Sequence, residues 1–128
     1  MISCLILAML LGSPVLSQEA TKKSGDFQRE IARAPVRERQ SLNPYEGQTQ
    51  ALDAGKKLYR QHCAQCHGEN GSGGDRAPTL RSREIREATA GELAWFLKNG
   101  ILLAGMPSWS KLPPQRRWQL VAYLKSLT

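Results

Sequence analysis

The chain has 128 residues, room for one compact domain and too few for a multidomain enzyme. Hydrophobic residues at 41% and charged residues at 23% describe a globular protein and exclude a collagenous or wholly disordered one. The net charge is +7, and with three Cys and two His any metal or redox chemistry must draw on very few side chains.

Ile2 to Leu16 is mostly apolar and carries no Lys or Arg. A membrane-spanning helix needs about 20 residues, and this run is shorter and interrupted by Gly12 and Pro14. The pattern predicts a secretory signal peptide over residues 1–17, cut after Val15-Leu16-Ser17. Its start lacks the usual basic residue, so the competing reading is an uncleaved anchor. Cys4 opens the apolar run rather than ending it, and no lipid attachment is expected there.

Residues 18–43 are dense in charge and poor in large apolar side chains. Ordering such a stretch costs backbone entropy with little burial in return. It reads as a charged flexible arm or linker, extended or partly helical, with a docking tail for a partner as the alternative. Pro44 starts the compact domain, residues 44–128. A domain that short is poorly served by a core of side chains alone and calls for a staple.

Within that domain the signals are helical. Thr49–Cys66 is predicted as one helix with Ala51, Leu52, Gly55, Leu58, Tyr59 and His62 on or near one face. Gly inside a helix costs about 1 kcal/mol against Ala, so Gly55 points to close approach of another helix. Gly68 to Ala77 is a glycine-rich loop able to wrap over a flat ligand. It lacks the G-K-[ST] ending of a phosphate loop. Thr89-Ala90-Gly91-Glu92 is a capping box, and Gly100 ends the helix it starts. Pro113-Pro114 opens a last helix with Trp118, Leu120, Val121, Ala122, Leu124 and Leu127 as its apolar residues. No segment sustains period-2 alternation, so the fold class is all-α.

The chemistry lies in Cys63-Ala64-Gln65-Cys66-His67. C-x-x-C-H is the attachment signature of c-type haem. Residues i and i+3 share a helix face, so both thiols can reach the two vinyl groups on one porphyrin edge, and the next residue carries an imidazole under the ring. Three other readings compete, one of them a chance match. A redox disulfide would want a strand running into the motif, whereas ALDAGKKLYRQH is helix-like. A zinc site would want two further Cys or His ligands, and only Cys4 and His62 remain besides the motif. With haem, a sixth ligand is needed. Met1 and Met9 fall in the signal, which leaves Met106, in Gly105-Met106-Pro107-Ser108-Trp109. A lone Met is usually core filler, but between Gly and Pro in a loop it fills poorly and ligates well. Histidine with methionine raises the potential and closes the iron. His62, one residue before the first thioether, reads as a surface or packing residue.

Together QHCAQCHG and GMPSWSKLPPQRRWQLVAYLKSL resemble the class I c-type cytochromes, and the resemblance runs from Tyr45 to Thr128. It implies helices wrapped around one covalently attached haem c. Gly55 and Tyr59, eight and four residues before the first Cys, then cross the last helix at Leu120 and Tyr123. Pro78 accepts a hydrogen bond from the axial His67, Met106 is the sulfur ligand, and Trp109 packs near the haem. Arg76 and Arg81 are candidate partners of the haem propionates. The phrases are similar to small cytochromes that accept electrons in bacterial periplasmic respiratory chains.

The expected function is single-electron transfer by a periplasmic monohaem cytochrome, an electron carrier rather than an enzyme, meeting redox proteins such as a dehydrogenase or a terminal oxidase. Lys56, Lys57, Lys98 and Lys111 are candidates for steering an acidic partner. Export argues against nucleic acid as partner, and no basic amphipathic stripe supports stable membrane insertion after signal cleavage. Two alternatives stand: a subunit tethered to a larger complex through residues 18–43, and an open-iron enzyme or gas sensor. The uncharged start and the long basic arm depart from the family pattern.

Overall fold

The computed structural model describes residues 15–127. Most of the expected signal peptide, with Met1, Cys4 and Met9, lies outside the described residues. The helices in chain order are α1 (Val15–Ala32), α2 (Val36–Arg39), α3 (Thr49–His62), α4 (Ala64–His67), α5 (Arg83–Glu87), α6 (Ala90–Asn99) and α7 (Pro114–Ser126). A 3-10 turn, Leu102–Ala104, follows α6. Among the described residues the β-structure is an isolated bridge between Ile101 and Met106, so the fold is all-α as expected. No described helix is long and apolar enough to cross a membrane.

The frame is the crossing of α3 and α7. A Cβ on Gly55 would stand 2.0 Å from the Gln119 carbonyl oxygen and 3.0 Å from the Cβ of Tyr123. Glycine is therefore what lets the two backbones meet. The tightest point is Gln119, one residue ahead of the expected Leu120. One turn along α3, Tyr59 packs on Tyr123 with ring centroids 5.1 Å apart. Leu120 and Val121 are fully buried beside them.

α6 closes a third side. Thr89 accepts from the Glu92 N–H while Glu92 accepts from the Thr89 N–H, at 3.1 and 2.8 Å, which completes the capping box. Leu93, Phe96 and Leu97 enter the core with Leu58, Leu120 and Leu124. Pro114 begins α7 at the first helical position, where a missing N–H is harmless.

Two expectations differ from the structure. Thr49–Cys66 is not one helix, because Cys63 (φ −118°) separates α3 from the single turn α4. Residues 18–43 are not an arm with nothing to bury. Phe27, Ile31 and Ala34 are 7%, 8% and 2% exposed, and the Phe27 ring meets Phe96 edge-on at 4.9 Å. Their spacing by four places Phe27 and Ile31 on one stripe of α1. The charges lie outside it, in the pairs Arg29–Asp26 and Arg33–Glu30. Asn43, buried, donates to the Trp118 carbonyl at 2.9 Å and so ties the end of this region to α7.

Candidate haem site

The motif sits where α3 ends. Cys66 N–H and His67 N–H both donate to the Cys63 carbonyl, at 3.1 and 2.9 Å, so the two cysteines occupy one turn. Both thiols are free; Cys63 is buried and Cys66 exposed. Burial pushes the Cys63 thiol up to about 11, with the neighbouring Cys66 adding to it. At neutral pH Cys63 is a thiol, and no disulfide joins the pair.

His67 is half-buried. Its Nδ1 lies 2.9 Å from the Pro78 carbonyl oxygen. A carbonyl only accepts, so Nδ1 carries the proton and Nε2 keeps its lone pair. Burial lowers the His67 pKa, with the Pro78 bond acting in the opposite direction. The imidazole is thus neutral and of fixed tautomer, the form that binds a metal.

The glycine-rich loop holds Pro78 in place. Gly73 N–H donates to the His67 carbonyl at 2.7 Å. Gly73 has φ +79°, and a Cβ there would stand 2.5 Å from the Thr79 nitrogen. Only glycine fits this turn. Leu80 N–H and the Thr79 hydroxyl both donate to the Gly71 carbonyl, at 2.7 and 3.2 Å. Arg81 Nε donates to the Asn70 carbonyl at 2.6 Å. Tyr59, fully buried, donates its hydroxyl to the Gly68 carbonyl at 2.5 Å and so links the loop to α3. Arg76 is exposed on the same loop.

Met106 is half-buried and packs on the cluster that contains Cys63 and Ala64. Its backbone exchanges two hydrogen bonds with Ile101, both 3.1 Å, around the Leu102–Ala104 turn. Gly105 (φ +85°) closes that turn. At Gly100 (φ +65°) a Cβ would stand 2.5 Å from the Pro107 carbonyl oxygen and 2.7 Å from that of Met106. Trp109 N–H donates to the Leu97 carbonyl at 2.8 Å, and Ser108 Oγ donates to Lys98 at 2.5 Å. These satisfy carbonyls that the end of α6 leaves open. Arg117 Nη1 donates to the Ser110 carbonyl at 3.2 Å and to that of Leu112, gripping the descending limb from α7.

The loop is brought to the motif by Trp109, whose ring lies 5.0 Å from that of His62. His62 is accordingly a half-buried packing residue. Sequence reasoning passed over Ser108, Arg117 and the second task of Gly100. The Asn-Gly ending of α6 just before Gly-Met-Pro was the one local signal for the last of these.

Two free cysteines on one turn, a neutral histidine held by a carbonyl, and a methionine on a braced loop fit a covalently bound porphyrin. Among the described residues no group of three or more His, Cys, Asp or Glu could hold a bare metal ion. The fold and this donor set define a c-type cytochrome. Residues 50–124, more than half of the chain, match the family described as cytochrome c oxidase, cbb3-type, subunit III, and the chain belongs to that family. It carries covalent haem c and serves haem-based electron transfer. No curated protein matches the chain.

Proposed function

We propose that the chain is a monohaem cytochrome passing single electrons between redox proteins of the periplasm. Haem supplies the redox couple, iron cycling between ferrous and ferric. Cys63 and Cys66 would anchor it by thioether bonds, and His67 and Met106 would hold its iron. Pro78 holds the His67 ring in one tautomer and orientation. Ile101, Ser108, Trp109 and Arg117 hold the Met106 loop, so little has to move when the charge on the iron changes. Of the two arginines proposed for the propionates, Arg76 is the stronger candidate, because Arg81 already gives its Nε to Asn70. Trp109 braces the methionine side through His62.

The observation that carries this reading is the 2.9 Å bond from His67 to Pro78 on the C-x-x-C-H turn. The test is the mass of the exported mature protein together with its reduced visible spectrum. One added haem and the bands of a low-spin six-coordinate iron are expected. A colourless product of bare polypeptide mass, made in cells with working haem-attachment machinery, overturns it.

A second reading is favoured by the family match: the chain works as an electron-transfer subunit of an oxidase or dehydrogenase complex. Stable co-purification with a membrane oxidase supports it; a freely monomeric protein in the periplasmic fraction refutes it. The open-iron enzyme or sensor requires ferrous iron that takes carbon monoxide at once at neutral pH. Ligation by Met106 predicts that it does not.

A further inference from the structure

Residues 18–43 lie outside the matched 50–124 segment, yet they are fastened to it at several points. Lys23 Nζ reaches the Asp75 carbonyl, 3.4 Å away on the loop between His67 and Pro78. Phe27, one turn on, meets Phe96 of α6. Ile31, a turn further, is buried in the same cluster as Phe27, Cys63, Ala64 and Phe96, onto which Met106 packs. From residue 23 to residue 31 is about 12 Å of helix. Over that length α1 runs from the loop that fixes the proximal histidine to the helix that bears the methionine loop.

Beyond α1 the docking is equally close. A Cβ on Gly91 would stand 1.9 Å from the Glu38 carbonyl oxygen and 3.0 Å from that of Arg39. The Thr89 hydroxyl donates to the same Arg39 carbonyl at 2.8 Å. Gly91 is thus a glycine of the matched domain whose small size serves the segment before it. A loosely attached tail has no need of such a fit.

We propose that α1 is a built-in strap across the haem cleft, with Phe27 and Ile31 forming an apolar wall that keeps water from the haem. The inference rests on the haem reading above. Its physical consequence has a sign. Ferric haem carries one more positive charge than ferrous, and excluding water disfavours the more charged form. The strap therefore raises the potential and slows access of outside ligands to the iron.

The experiment uses the exported holoprotein and a Phe27→Ser, Ile31→Ser variant, which adds no charge near the haem, each titrated for midpoint potential and mixed with imidazole to follow displacement of Met106. The variant is expected to keep its thioethers, show a lower potential and exchange Met106 for imidazole several-fold faster. Trypsin should cut wild type slowly at Lys22, Lys23 and Arg29, and the variant quickly. Should the variant not accumulate, Gly91→Ala loosens the same segment from its Glu38 end, with the same signs expected.

Wild-type holoprotein cut at Lys22, Lys23 and Arg29 as fast as an unfolded peptide overturns the strap. So does a released arm with unchanged potential and imidazole kinetics. In both cases the haem reading survives, since the protein remains red with Met106 bound. A wild-type product without haem overturns that reading, and the strap with it.

Discussion

At a mid-helix position, replacing glycine by alanine ordinarily gains about 1 kcal/mol. Gly55 should reverse that sign, because the added methyl would lie 2.0 Å from the Gln119 carbonyl, which is backbone and cannot swing aside. Separating α3 from α7 also loosens Tyr59 from Tyr123. Gly55→Ala is expected to destabilise the holoprotein by about 2 kcal/mol or more, read as a lower urea midpoint. A higher midpoint would mean that the crossing is looser than described.

Tyr59 gives a pH-dependent counterpart. Burial, with the charge at Cys63 adding to it, raises its phenol from 10.0 to about 12. Thioether formation removes the Cys63 charge and leaves burial as the main cause, with Tyr123 adding to it. The folded pKa lies above the unfolded one, so the contribution is whole below pH 10 and lost as pH climbs towards 12. Tyr59→Phe should lose about 1 kcal/mol at pH 7 with the bond to Gly68, yet fall less steeply above pH 10. Unfolding midpoints at pH 7 and pH 11 check both parts. Gly55, Tyr59 and the pentapeptide were legible as residues because spacing along one chain announces them. Gln119 was not, since which backbone atom meets a glycine depends on the register of two helices distant in sequence.

At the scale of elements, the methionine loop depends on the end of α6. Gly100 turns the chain at φ +65° and leaves room for the Met106 and Pro107 carbonyls. Alanine there adds both left-handed strain and a 2.5 Å collision with Pro107, together about 1–3 kcal/mol. The cost falls on the loop and not on the C-x-x-C-H turn. Gly100→Ala should therefore retain covalent haem while weakening the bond to Met106, so that reduced protein takes up carbon monoxide. Met106→Ala should do so fully and lower the potential. Equal resistance to carbon monoxide in wild type and both variants would remove Met106 from the iron. The capping box, the Gly100 stop and the proline opening of α7 were readable because each is a local rule. The break at Cys63 was not, since the C-x-x-C-H turn continues the helical pattern of α3. Nor was α5: Ser82 caps it by accepting from Ile85 N–H at 3.4 Å, but five residues are too few to show a period.

For the whole molecule, the question is what holds so small a fold together. Composition pointed to a missing staple, and the core agrees. Cys63 and Ala64 lie in the central cluster, with Met106, Trp109 and Leu112 only partly buried around it. The part that composition hid is α1. Its charges dominate any average over residues 18–43, while Phe27 and Ile31, four apart, are enough to dock one stripe on α6. Averages measure how much a segment can bury; the period decides whether it buries it in one place. The staple can be tested against this core directly. Cys63→Ser with Cys66→Ser removes both thioethers while changing each side chain by one atom. Helix propensity is nearly untouched, and the α3–α7 crossing needs neither sulfur. The exported variant should therefore keep much of its far-ultraviolet helix signal but lose the sharp near-ultraviolet signal of fixed packing, and melt at lower temperature over a broader range than holoprotein. If it melts as sharply and as high as the wild type, side chains alone sustain the fold and haem is a passenger in it.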